Sequence, residues 1–220
     1  MFKPVKTKDG SYTFHSSSFD EHYHSITAGG IQEAKKKFVE PAEIKKGARI
    51  LDFCFGLGYN TLAAIYDQPD LDITGIENDK NILREIFSLE VPPGYRSSFE
   101  AVRLAAEQAE SGTVYTKGAL SIQLTIEDGK EAIKRFAADF FDAIFFDPFS
   151  PAKHPAMWSA NIFQEMYRVL KPEGRLTTYS CARKVRENMT EAGFFVLDGP
   201  VLGRRGPSTV AIKKSRKEIP

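Results

Sequence analysis

The chain has 220 residues, 42% of them hydrophobic and 27% charged, with a formal net charge of +1; this supports one good-sized core and excludes a largely disordered chain. Two cysteines, Cys54 and Cys181, are too few for a disulfide framework, so a reducing, cytoplasmic location is expected. No run of 18 apolar residues is present, and Met1-Phe2-Lys3-Pro4 opens no apolar signal stretch, so neither a membrane span nor a standard secretory signal is expected.

Residues 1–25 are polar and aromatic with turn signals at Asp9-Gly10 and Ser16-Ser17-Ser18, which predicts a small hairpin and loop extension outside the main fold, followed by one domain over 26–220. Helical spacing covers 30–40. The chain then alternates. Arg49–Phe53 reads as a strand, Tyr59–Tyr66 as a helix and Asp72–Ile76 as a strand. Asp79 is placed to cap a helix with Ile82, Leu83, Ile86 and Phe87 on one face. Pro92-Pro93-Gly94 breaks the pattern, and an extra helix over 98–110 fills an insertion at about 90–112. Leu120–Ile126 alternates as a strand and a helix runs on through Phe136. The short apolar run Ala143–Phe146 predicts a buried strand over Asp142–Phe146. Ser159 opens a helix with Ile162, Phe163, Met166 and Tyr167 inward. Arg175–Tyr179 is a strand, and a helix over 182–192 closes at Gly193. Phe194–Leu197 and Thr209–Lys213 end the chain as two strands. Alternating strands and helices imply an α/β fold with a mostly parallel sheet, and the last two strands imply an antiparallel hairpin at one edge.

Net charge hides an asymmetry: residues 151–220 carry a net of +7 and residues 1–150 a net of −6. The basic third is either a solvated face or a footprint for a polyanion such as RNA, with Arg183, Lys184, Arg204 and Arg205 as its candidate contacts.

Two places carry chemistry. The first strand runs into Asp52-Phe53-Cys54-Phe55-Gly56-Leu57-Gly58, and such glycines let the backbone turn tightly and approach a ligand. The next strand ends in Glu77, an acid placed to accept hydrogen bonds from ribose hydroxyls. Thr61 stands where a nicotinamide-binding fingerprint has its third glycine, which speaks against a dehydrogenase. Asp128, in Glu127-Asp128-Gly129, either holds an adenine amino group or caps a helix, and the two roles are compatible. The second place is Asp147-Pro148-Phe149 at a strand's carboxyl end, where open α/β sheets bind ligands. A carboxylate there can accept protons from an amine beside a sulfonium. Phe149 either stacks on a base, faces the sulfonium, or fills the core. His15, His22, His24 and His154 lack the spacing of a metal set, and none is expected. Ser180-Cys181 lacks an evident base, and Trp158 reads as a packing anchor.

The Asp-x-x-x-Gly-x-Gly loop, Glu77, Asp128 and Leu170-Lys171-Pro172-Glu173-Gly174 resemble class I S-adenosylmethionine methyltransferases, whose fold is Rossmann-like. More narrowly, Phe19-Asp20-Glu21-His22-Tyr23-His24-Ser25 and the run Asp147 to Trp158 are similar to the MnmC methyltransferase domain, over roughly residues 9–212. That resemblance implies a tRNA partner and methylation of the amine of 5-aminomethyl-(2-thio)uridine at the wobble position. Nothing here matches the FAD-dependent half of that bifunctional protein, so other enzymes are expected to supply the aminomethyl base. Cys54 and Pro148 stand where the family usually has glycines. The expected cofactor contacts are Phe55, Gly56, Leu57, Gly58, Asn60, Glu77, Asn78, Asp128, Gly129 and Asp147. Asp147 is also the catalytic candidate, and His22, Tyr23, Phe149 and Lys153 are the substrate-binding ones. Aminopropyl transfer of the spermidine-synthase type, another nucleic-acid amino-methylation and a non-catalytic RNA-binding module are the alternatives.

Overall fold

The structure, a computed structural model, describes residues 3–203 and 205–215. Three short strands, β1 (Pro4–Lys6), β2 (Tyr12–Ser16) and β3 (Glu21–His22), form an antiparallel sheet. A helical segment follows: α1 (Gly30–Glu33), a π-helical stretch over Ala34–Val39, and α2 (Glu40–Ala42). Pro41 lacks the amide that would bond the carbonyl of Lys37 in a regular α-helix, which suits a wider turn here.

The main chain then alternates as expected: β4 (Arg49–Phe53), α3 (Tyr59–Asp67), β5 (Asp72–Glu77), α4 (Lys80–Glu85) and α5 (Arg96–Gln108). After these come β6 (Tyr115–Lys117), β7 (Leu120–Ile126), α6 (Gly129–Ala132) and β8 (Phe141–Phe146). The last elements are α7 (Ala160–Val169), β9 (Leu170–Thr178), α8 (Arg183–Glu191), β10 (Phe195–Asp198) and β11 (Thr209–Ile212). One eight-stranded sheet has the order β10-β11-β9-β8-β4-β5-β7-β6. Its five middle strands are parallel, and β6, β11 and β10 run antiparallel to their neighbours.

The central strands bury both faces. On β8, Ala143 and Phe145 enter one core cluster while Ile144 and Phe146 enter the other, as a period of two requires. The chain steps from β4 to β5 and β7 on one side, then returns to place β8 on the other side of β4. The carboxyl ends of β4 and β8 therefore flank the point where the strand order reverses, where a crevice opens in such sheets.

Some details depart from expectation. The first 25 residues do not lie outside the fold: Phe14 is fully buried in the main core, and the Tyr59 hydroxyl donates to the carbonyl of Tyr12 at 2.6 Å. Phe87 is 47% exposed, because the helix that Asp79 caps gives way to a 3₁₀ turn at Ile86 and rotates Phe87 outward. Tyr167 is only half-buried. The insertion packs its helix on α3 through Phe99, Val102 and Ala105 and adds the short strand β6. Leu170 to Gly174 belongs to β9, with a register irregularity against β8.

Candidate active site

A cavity of about 450 Å³ opens at the carboxyl ends of β4, β5, β7 and β8 and is closed from above by residues 16–27. The loop after β4 forms its floor. Cys54, Gly56 and Gly58 all have positive φ (65°, 53° and 72°). Cys54 holds this left-handed conformation with a Cβ, where glycine carries less strain. A Cβ on Gly58 would lie 2.6 Å from Val102 Cγ1, so glycine is needed for α5 to pack against the loop. Asp52 is fully buried beneath, and its Oδ2 accepts from the Thr61 amide at 3.1 Å and hydroxyl at 2.7 Å. This accounts for Thr61, which ties the start of α3 to β4. Burial pushes the Asp52 carboxyl up to about 7.

Glu77 ends β5 with its side chain buried on the cavity wall. Oε2 accepts from the Gly56 amide at 2.9 Å, and Oε1 from the amides of Asn78 at 2.8 Å and Asp79 at 2.9 Å. The carboxylate thus shapes the glycine loop as well as facing the cavity. Its pKa is raised by burial, against the pull of those three donors. Asp128 caps α6 through the Lys130 amide at 2.9 Å and lines the same end with Asn78 and Gly129.

Asp147 stands at the end of β8, its amide donating to the Phe53 carbonyl across to β4. Its Oδ2 accepts from Asn60 Nδ2 at 3.0 Å and lies 3.9 Å from His24 Nδ1. Burial, with Glu33 and Asp52 nearby, holds this carboxyl well above the usual range. His24 is buried too, and desolvation pushes it down to about 4, so it is neutral at pH 7. Two bonds fix the backbone after Asp147: the Tyr179 hydroxyl donates to the Pro148 carbonyl at 2.9 Å, and Trp158 Nε1 to the Phe149 carbonyl at 2.8 Å. Trp158 is therefore the anchor expected. The Phe149 ring stacks on Phe19 at 4.3 Å and meets Tyr23 edge-on at 4.9 Å.

Sequence candidates divide accordingly. Gly56, Glu77, Asn78, Asp128, Gly129, Asp147, His22, Tyr23 and Phe149 share the cavity. Phe55 and Leu57 point into the core, Gly58 is packed against Val102 and Phe55, and Asn60 supports Asp147 from behind. Lys153 is off the wall, paired with Asp20 at 3.0 Å. The basic third is partly spent on structure: Lys213 Nζ donates to the carbonyls of Tyr167, Arg168 and Leu170, capping the end of α7. Arg183, Lys184 and Arg205 are exposed, whereas Arg204 falls outside the described residues. Gly203, in the turn between β10 and β11, lines the cavity.

Sequence reasoning missed Glu33 and Lys37, which line the cavity as an ion pair of 2.6 Å. The signal was their place with Gly30 and Ala34 on one helical stripe, masked by the surface-like run Lys35-Lys36-Lys37. It also missed Glu21, whose Oε2 accepts from the Ser150 amide at 2.8 Å and fastens the lid to the Asp147 loop. Among the described residues no group of three or more His, Cys, Asp or Glu is arranged to hold a metal ion, and no helix is long and apolar enough to cross a membrane.

The family of S-adenosyl-L-methionine-dependent methyltransferases matches residues 81–214. The tRNA 5-methylaminomethyl-2-thiouridine biosynthesis bifunctional protein MnmC of Ralstonia nicotianae is 30% identical over 213 residues, which are 89% of this chain and 32% of that protein. The chain spans between about a third and six tenths of the curated relatives it matches. The crystal structure of MnmC2 from Aquifex aeolicus superposes with a TM-score of 0.85 at 31% identity, over 98% of this chain and 71% of that one. Spermidine synthase from Thermotoga maritima, at a TM-score of 0.59 and 14% identity over 97% of this chain and 72% of its own, shares the fold alone. A glycine floor, a buried acid at the end of the second strand and matches over most of the chain converge, and the chain belongs to the S-adenosyl-L-methionine-dependent methyltransferases of the MnmC type.

Proposed function

We propose that the chain methylates the amine of 5-aminomethyl-(2-thio)uridine at the wobble position of tRNA, with Asp147 as the residue that receives the amine. The observation that carries this reading is a carboxylate at the sheet's reversal point, its side chain only 10% exposed, facing a cavity walled by Phe149 and Tyr23. The likeness to MnmC supports that choice of substrate class.

The residues present fit S-adenosylmethionine. Gly56 leaves the floor open where a Cβ would stand 3.3 Å from Tyr23. Glu77 would take the ribose hydroxyls, and Asp128 with Asn78 and Gly129 would take the adenine. When bound, the cofactor supplies an electrophilic methyl on a sulfonium. The cavity wall holds seven carboxylates against two lysines, a field that favours cationic ligands. An alkylamine with a pKa near 10 is neutral in about one molecule per thousand at pH 7, a cost of about 4 kcal/mol. Asp147 would accept hydrogen bonds from the amine and take up its proton, and a raised pKa makes it a stronger acceptor. Phe149, held by Phe19 and Trp158, would stack on the uracil, with Tyr23 and His22 closing over it. Exposed Arg183, Lys184 and Arg205 are the proposed phosphate contacts, Arg205 being two residues from Gly203 on the cavity wall.

The test is mass spectrometry of nucleosides after incubating hypomodified tRNA with the protein and methyl-labelled cofactor. Label in 5-methylaminomethyl-uridine or its 2-thio form is the expected product. Label elsewhere, or none from an RNA carrying the aminomethyl base, would refute it.

A further inference from the structure

The Glu33–Lys37 pair is an unusual feature of the cavity. Lys37 is the one lysine or arginine with a buried side chain among the described residues, 3% exposed. It sits on the π-helical stretch, a local widening found often at functional sites. Its Nζ donates to Glu33 Oε1 at 2.6 Å, and that is one described partner for three ammonium hydrogens. Glu33 Oε2 accepts from the Ser25 amide at 2.9 Å, so the pair also holds the lid segment. A buried ion pair is a poor stabiliser compared with apolar side chains of the same size. Packing therefore gives no reason for charges at this spot.

Location gives one. Both side chains line the cavity, and both rank among the charges that Asp147 feels. The carboxylates suited to adenosine, Glu77 and Asp128, lie with Asn78 and Asp79 at the ends of β5 and β7. The cavity thus has an adenosine end and, beside Asp147, an end that carries one buried cation next to one buried anion. An α-amino acid zwitterion is the complement of such a pair. Its carboxylate needs a dry cation, since every other buried charge near it is negative, and its ammonium needs a carboxylate with a spare lone pair. In the absence of a ligand the two protein charges neutralise each other.

We propose that Glu33 and Lys37 form the subsite for the α-amino-acid end of the cofactor. Lys37 takes the α-carboxylate, Glu33 takes the α-ammonium, and Lys37 thereby selects the carboxylated sulfonium over its decarboxylated counterpart. The proposal rests on S-adenosylmethionine being the cofactor and is independent of the RNA substrate. It also separates this chain from aminopropyl transfer, which needs the decarboxylated form on the same fold.

Calorimetry on the full chain tests it with three probes: S-adenosylhomocysteine, its decarboxylated analogue, and methylthioadenosine, which lacks the amino-acid end. The wild type should bind S-adenosylhomocysteine about 10- to 100-fold more tightly than the decarboxylated analogue, the scale of a charged hydrogen bond. Lys37→Met should abolish that preference and leave the analogue and methylthioadenosine within about threefold of wild type. Glu33→Gln keeps the bond to Ser25 and should weaken both amine-bearing probes but not methylthioadenosine. If Lys37→Met does not fold, the wild-type preference and its retention in Lys37→Arg still decide the matter. Equal wild-type affinity for the two amine-bearing probes overturns the subsite. So does a preference that survives Lys37→Met, or an equal loss of all three probes. Absence of binding by all three in the wild type would instead sink the cofactor assignment itself.

Discussion

Asp147→Asn locates the chemistry. In the wild type, Oδ2 accepts from Asn60 Nδ2 at 3.0 Å inside a side chain only 10% exposed. Asparagine can keep that bond through its carbonyl oxygen. Its amide then replaces the second carboxylate oxygen and meets the incoming amine donor to donor. Losing a charged acceptor forfeits about 1.5–3 kcal/mol. Losing the proton acceptor as well brings the expected fall in turnover to about 10²–10⁴. Stability should move the other way. The Asp147 pKa is higher folded than unfolded, so its ionisation destabilises the fold as pH rises above the unfolded value near 4. A neutral asparagine escapes that penalty, and at pH 8 the variant should melt no lower than the wild type. Single-turnover methyl transfer to aminomethyl-uridine tRNA across pH 6–9, beside thermal unfolding and calorimetry with S-adenosylhomocysteine, reads all three quantities. Partial recovery at high pH is expected, because more amine is then neutral unaided. Wild-type rates at every pH, or a rate loss matched by lost cofactor affinity, would refute the assignment.

Glu77→Gln places an amide against the Gly56 N–H and removes the charge, so S-adenosylhomocysteine should bind about 10- to 100-fold more weakly by calorimetry; unchanged affinity would remove Glu77 from the cofactor site. Gly58→Ala meets Val102 Cγ1 at 2.6 Å and the Phe55 ring at 2.8 Å with φ at +72°. Left-handed strain and overpacking together should destabilise by about 2–5 kcal/mol, lowering the melting temperature by about 5–15 °C, and a shift under about 2 °C would contradict the packing account. Asp52, pushed up to about 7 by burial, favours the folded state less and less as pH rises from about 4 to 7, by about 4 kcal/mol in all. His24, pushed down to about 4, acts in the opposite sense, adding stability as pH rises from 4 towards 6.5. Urea unfolding of Asp52→Asn from pH 4.5 to 7.5 should therefore show stability rising relative to the wild type as pH rises, and identical pH profiles would show that Asp52 does not titrate as burial dictates.

Local order in the chain was enough for the α/β alternation, the parallel centre and the edge hairpin. Period-two burial, glycine turns and caps such as Asp79 and Asp128 act within a few residues of sequence. The glycine loop, Glu77 and Asp147-Pro148-Phe149 were legible for the same reason: each occupies a strand end, and strand ends share one rim in a parallel sheet. Tertiary structure decided what side chains from distant segments do to one another. Phe55 and Leu57 look like ligand contacts in sequence but are drawn into the core, since the loop must cover it. Lys153 is held by Asp20, 133 residues away, and Lys213 by the end of α7. Lys37, in a run of three lysines, is surface by composition and buried by the π turn that carries it to the cavity. Sequence patterns report how each residue sits in its own helix or strand, whereas the partners of a buried charge depend on which segments the fold brings alongside it.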